Sequence, residues 1–196
     1  FYDGGGLDIA FLGLAQADRA GNLNVSKFGP RLAGAGGFIN ISQNAKKVIF
    51  VGTFTTGKLE VAIADGRLRI VEEGRGVKFV NEVEHRTFSG TEAIRRNTPV
   101  LYITERCVFR LTAAGLELIE IAPGIDLQRD ILDRMGFRPI IRGEPALMDS
   151  RIFGDEPMGI RQEMLDMPLA ERLTYDAGQN LFFVNFAGLG VRSRED

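Results

Sequence analysis

The chain has 196 residues, 24 of them Lys or Arg and 26 Asp or Glu, for a formal net charge of −2. That balance excludes a generally basic nucleic-acid binder, and the single cysteine, Cys107, excludes a disulfide framework. No run approaches about 18 consecutive apolar residues, so no membrane span is expected and a cytoplasmic location is the default.

The chain opens on Phe1 with no basic or apolar leader before it, which reads as the interior of a domain. Residues 9–15 and 47–54 are apolar on successive positions, the pattern of parallel strands buried on both faces. Residues 60–64 and 67–71 alternate around Asp65-Gly66, the strongest short hairpin signal. A two-residue loop sets Ile63 opposite Leu68 and Val61 opposite Ile70, and all four are expected on one buried face. Residues 100–104, 108–111 and 116–121 predict a meander, its last turn at Ala113-Ala114-Gly115. Asp126 is placed to cap a helix carrying Leu127, Ile131 and Met135, with Gly136 as its C′ residue. Residues 1–142 thus read as the main domain and 143–168 as a linker with a short helix over 158–167. Residues 169–196 read as a small β-hairpin extension, with Phe182, Phe183 and Phe186 as its core.

Two glycine clusters stand out as candidate chemistry. Gly34-Ala35-Gly36-Gly37 leaves backbone that a ligand can approach, and free amide N–H groups there suit a phosphate or a developing oxyanion. A short helix from Phe38 would reinforce this, and Lys46 or Lys47 lies two turns on. The alternative is a glycine turn packed against a neighbour. Gly4-Gly5-Gly6, between Asp3 and Asp8, is either a close approach to substrate or a strand-entry turn. His85 is the only histidine, so neither a catalytic triad nor a zinc site is indicated, and no metal is expected. Cys107 reads as a small core residue. Asp126, Asp130 and Asp133 read as caps and a solvated face.

Taken jointly, these runs resemble family I coenzyme A transferases: Asp3-Gly4-Gly5-Gly6-Leu7-Asp8, Gly34-Ala35-Gly36-Gly37-Phe38-Ile39-Asn40-Ile41, Ala45-Lys46-Lys47-Val48 and Thr104-Glu105-Arg106-Cys107. The run from Leu118 to Leu127 is similar to the signature of the family's β-half, and the subgroup resembled is the single-chain acetate/propionate type. The resemblance implies an α/β fold, an open and mostly parallel sheet with flanking helices and inserted β-hairpins. It implies transfer of CoA between acyl-CoA and short-chain carboxylates through a glutamyl–CoA thioester. CoA is then a substrate, no cofactor is required, and the partners are a missing α-half and further copies in a homo-oligomer. By the same resemblance Gly36 and Gly37 are oxyanion-hole candidates, Gly34, Asn40 and Lys47 join them in binding CoA, and Gly4, Gly5 and Gly6 wall the site. The family's nucleophile lies in a Glu-x-Gly context upstream of the Asp-Gly-Gly-Gly segment. The internal Glu72-Glu73-Gly74 sits in a charged turn, so the isolated chain is expected to be inactive. The alternatives are a non-catalytic CoA-binding or assembly module and an acyl-CoA hydrolase.

Overall fold

A computed structural model describes residues 1–188, which divide into two compact units, Phe1–Gly154 and the segment from Asp155 onward. The first unit is built on a six-stranded sheet.

The first sheet strand is β1 (Ala10–Gly13), followed by the short ribbons β2 (Gln16–Asp18) with β3 (Leu23–Asn24), and β4 (Lys27–Phe28) with β5 (Arg31–Leu32). Helix α1 (Phe38–Asn44) then returns the chain to β6 (Val48–Val51), which pairs parallel to β1 with Ala10 opposite Val48. Phe38 holds α1 to the sheet by stacking on Phe50 at 5.7 Å. The helix stops at Ala45, whose backbone is extended and leads straight into β6.

Outside the sheet come β7 (Thr55–Thr56), β8 (Glu60–Ala64), β9 (Arg67–Glu72), β10 (Gly76–Val77) and β11 (Phe79–Val80). The chain re-enters through α2 (Gly90–Arg95), capped by Ser89 accepting from the Glu92 amide. It then runs through β12 (Val100–Ile103), β13 (Cys107–Thr112) and β14 (Gly115–Ile121). A last short strand, β15 (Ala146–Leu147), completes the order β1-β6-β12-β13-β14-β15. Three of its five pairings are parallel, β1/β6, β6/β12 and β14/β15, which makes this an α/β fold with a mostly parallel central sheet. The core gathers Phe50, Phe88 and Tyr102 on one side and Phe54, Phe79 and Phe109 on another, with ring centroids 4.8–5.4 Å apart between neighbours. Cys107 is fully buried among them, and burial pushes its thiol pKa well up.

Three sequence expectations are corrected in this unit. β1 is an edge strand, not one buried on both faces: Ala10 is buried but Phe11 is 65% exposed, because no element of the unit covers that face. The β8–β9 hairpin has the expected register, Ile63 opposite Leu68 and Val61 opposite Ile70, and positive φ at both Asp65 and Gly66. Its face is only half buried, however. Leu68 reaches the core and its N–H donates to Pro123 O, while Ile63 and Val61 stay exposed on the outer strand of a two-stranded ribbon. After Gly124, Asp126 does cap, accepting from Arg129 N at 2.7 Å, but the chain winds as a wide π-turn over Leu127–Ile131 and a 3-10 turn over Leu132–Arg134. Gly136 is not a left-handed cap. Its N–H donates to Phe79 O, and a Cβ there would meet Asn81 N at 3.0 Å, so close packing is what needs the glycine.

Of residues 143–168, those up to Gly154 lie in the first unit and the rest in the second. The second unit holds α3 (Ile160–Leu165) and the antiparallel pair β16 (Leu173–Asp176) and β17 (Leu181–Val184). Its hub is the buried Arg172, whose guanidinium donates to the carbonyls of Leu165, Met167, Asn185 and Ala187. Phe182, Phe183 and Phe186 are exposed rather than a hairpin core, since a two-stranded ribbon offers no second layer within the unit. Residues 189–196 of the expected extension lie outside the described residues. No helix among the described residues is long and apolar enough to cross a membrane.

Candidate functional site

The second glycine cluster forms the entry to α1. Gly34 and Gly36 have φ of +81° and +52°, the left-handed region where glycine is favoured. Gly37 is the N-cap residue and supplies no side chain to close the helix start. Space above Gly34 and Gly36 is open, since a Cβ at either would meet nothing within 4 Å. The loop is pinned from behind, where Ala33 N and Gly34 N both donate to Ser26 O.

The first glycine cluster is clasped to the same helix. Asp3 Oδ1 accepts from Asn40 Nδ2 at 3.0 Å and from Asn44 Nδ2 at 3.1 Å. Lys46 Nζ donates to Asp8 Oδ1 at 2.7 Å, and that contact holds the exposed Asp8 carboxyl below its ordinary pKa. Gly4, Gly5 and Gly6 remain exposed, with Gly5 N and Gly6 N donating back to Tyr2 O and Phe1 O. The fold therefore brings both clusters to one helix. Of the residues carried over from the resemblance, Asn40 is already engaged as a tie to Asp3. Lys46 is paired, whereas Lys47 is exposed and makes no ion pair among the described residues.

A second constellation lies past the carboxyl ends of β6 and β12. Arg106 is fully buried and donates to Glu105 Oε1 at 2.7 Å, to both oxygens of Glu73 at 2.7 and 3.1 Å, and to Asp130 O. It also lies over the Phe54 ring, 4.8 Å from the centroid. Glu73 further accepts from Thr55 Oγ1 at 2.5 Å and from Gly74 N. Burial works against its ionisation, but the Arg106 fork, Thr55 and Gly74 outweigh that and hold its carboxyl below the ordinary value. Both oxygens are thus committed, which suits a buttress and not a nucleophile. Glu105 Oε2 accepts from Phe54 N. Beside this network Lys78 is buried, and burial pushes its pKa down against the pull of Glu105.

His85 lies away from any charge relay, its Nδ1 within 2.8 Å of Ser26 Oγ. Asp130 is tied to Arg129 and to Asp126 N. Among the described residues, no three His, Cys, Asp or Glu side chains stand where they could hold a metal.

No family model matches the chain. Acetate CoA-transferase YdiF of Escherichia coli O157:H7 is 55% identical over 159 residues, covering 81% of this chain and 30% of the relative. Caffeate CoA-transferase of Acetobacterium woodii is 56% identical over 164 residues, covering 81% and 31%. The crystal structure of acyl-CoA transferase YdiF from E. coli O157:H7, as a thioester complex with CoA, matches with a TM-score of 0.79 and 55% identity over 81% of this chain and 31% of that one. The chain belongs to the CoA-transferase family. It spans about a third of the length of these CoA-transferase relatives.

In this CoA-transferase chain, the sequence pattern located the two glycine clusters and the helix between them and β6. It missed Lys78 and the Glu73–Arg106 pair. Thr104-Glu105-Arg106-Cys107 marks one end of that pair in the sequence, but its partner lies 33 residues away and only the fold joins them.

Proposed function

We propose that this chain is the C-terminal portion, the β-half, of a short-chain acyl-CoA:carboxylate CoA-transferase of the acetate, propionate or acetoacetate type. The observation that carries the reading is the 55% identity to an acetate CoA-transferase whose relative structure is a thioester complex with CoA. In the reaction, a glutamate carboxylate attacks the acyl-CoA carbonyl carbon, the C–S bond breaks, and an acyl–glutamyl anhydride forms as CoA thiolate leaves. The thiolate then attacks the glutamyl carbonyl, the anhydride C–O bond breaks, and the free acid departs from a glutamyl–CoA thioester. A second carboxylate reverses both steps with its own acyl group. CoA is a substrate throughout and no separate cofactor takes part.

The nucleophile comes from residues outside this chain, supplied together with the α-half. Gly36 and Gly37 support the reading because both are exposed, with open space above Gly36 and the Ile41 side chain in ordinary contact range of Gly37, so that amide N–H groups there suit a developing oxyanion. Lys47 is the cation free to meet a CoA phosphate, while Asn40 acts by holding Asp3 and so the Gly4–Gly6 wall.

The test is transfer by the full-length protein from acetyl-CoA to propionate, with mass spectrometry of the trapped thioester. Propionyl-CoA formation with an adduct on a glutamate outside these residues is expected. Release of CoA without an acceptor acid identifies a hydrolase, and CoA binding without exchange identifies a binding module. The 196-residue chain alone should give no adduct with acyl-CoA. An adduct on Glu73 or Glu105 overturns the reading.

A further inference from the structure

Lys78 is the one buried ammonium among the described residues, with 6% of its surface exposed. No carboxylate there pairs with it. Its hydrogen-bond acceptor is Thr53 Oγ1 at 3.5 Å, the outer limit of such a contact. Glu105 exerts an electrostatic pull on it, but both Glu105 oxygens are taken by Arg106 and Phe54 N. Buried charges in folded proteins are compensated by a partner, and here the protein leaves most of that compensation unmade.

The position is built rather than incidental. The Lys78 carbonyl accepts from Ala17 N at 2.9 Å, which fixes the backbone between β10 and β11. A Cβ on Gly52 would stand 3.1 Å from Lys78 Nζ and 2.8 Å from Leu14 O, so the glycine at the end of β6 makes room for the ammonium. Lys78 lines a cavity of about 360 Å³ with Leu14, Ala15, Gln16, Phe28 and Thr56. That cavity lies just past the carboxyl ends of β1 and β6, the place where open α/β sheets bind ligands. Phe28 belongs to the β4–β5 ribbon that leads directly into Gly34. One cation, two polar side chains and an otherwise apolar wall fit a small acid with a hydrocarbon tail.

We propose that Lys78 is the anchor for the carboxylate of the short-chain acid that exchanges with acyl-CoA, and that Leu14, Ala15 and Phe28 receive its hydrocarbon. This rests on the CoA-transferase reading for the identity of the acid. Lys78 acts as a protonated point charge that places the acid, and it takes no part in bond making.

The experiment uses the full-length enzyme with acetyl-CoA and propionate. Lys78→Met should raise KM for propionate about tenfold or more, the worth of a hydrogen bond to a charged group, with KM for acetyl-CoA changed less than about twofold. Lys78→Arg should recover most of the loss. Propionate should raise the Tm of the wild type and of the Arg variant but not of the Met variant. An unchanged KM and Tm response in Lys78→Met overturns the site while leaving the transferase reading intact. A Lys78-dependent Tm response in a protein without transfer activity leaves the site and overturns the reading. Should both variants fail to fold, a crystal of the wild type with propionate decides. The carboxylate on Lys78 Nζ supports the assignment, and propionate bound elsewhere overturns it.

Discussion

Arg106 ties several parts of the first unit together, because it is dry and its guanidinium faces two carboxylates at once. Arg106→Met keeps much of the volume but leaves Glu73 and Glu105 largely buried with no cation between them. The expected cost is about 3–5 kcal/mol, measurable by urea denaturation. Glu73→Gln tests the same contact through pH. The folded-state pKa of Glu73 lies below its ordinary 4.5, so its stabilising effect is complete above that value and is lost as pH falls through the folded pKa. Stability of the wild type should therefore fall as pH drops below 4.5, and Glu73→Gln should flatten that part of the profile. An unchanged slope would show that Glu73 contributes nothing to acid sensitivity. At this scale the sequence was a partial guide. Glycine positions were legible because a positive φ or an open backbone leaves a residue-type signature, as at Gly34 and Gly36. Lys78 was not, because β10 and β11 are two residues each and too short for any period to tell which of their neighbours is buried.

For the elements, the β8–β9 hairpin shows which part of a pattern the backbone dictates. Asp65-Gly66 requires positive φ at both positions, and the loop length then fixes the cross-strand partners from Ala64–Arg67 out to Val61–Ile70, beyond which the register shifts and Glu60 meets Glu72. Gly66→Val should cost about 1–2 kcal/mol, since a β-branched residue is strained at φ of +70° and its Cβ would meet Ser150 at 3.4 Å. Thermal unfolding checks the loss, and a variant of unchanged Tm would mean that the ribbon folds independently of its turn. Which hairpin residues are buried was not legible, because alternation marks a shared face but not what covers it. Ile63 and Leu68 oppose each other, yet Leu68 alone is in the core. The winding after Asp126 failed for a related reason. The cap was local and was read correctly, whereas the wide turn that follows brings Asp130 O within reach of Arg106, a tertiary demand.

On the scale of the whole molecule, the parallel topology follows from two crossovers, β1 through α1 to β6 and β6 through α2 to β12. Both put loops at the carboxyl ends of the strands, and those loops carry the Gly34, Gly36 and Gly37 cluster and Lys78, whereas Gly4 to Gly6 and Lys47 precede β1 and β6. One consequence lies at the other margin of the sheet. β1 is four residues long, ends the strand order, and presents Phe11 outward beside an edge with no hydrogen-bonding neighbour among the described residues. Such an edge is a template for pairing with any extended chain, so this segment expressed by itself should aggregate at concentrations where the full-length protein stays in solution. Phe11→Lys should raise the yield of dispersed material in centrifugation and light scattering, because a charge on the edge blocks stacking of copies. Equal aggregation in both would place the cause elsewhere. The open margin of β1 is thus a handling hazard for this segment, and the place to begin when engineering it to remain dispersed.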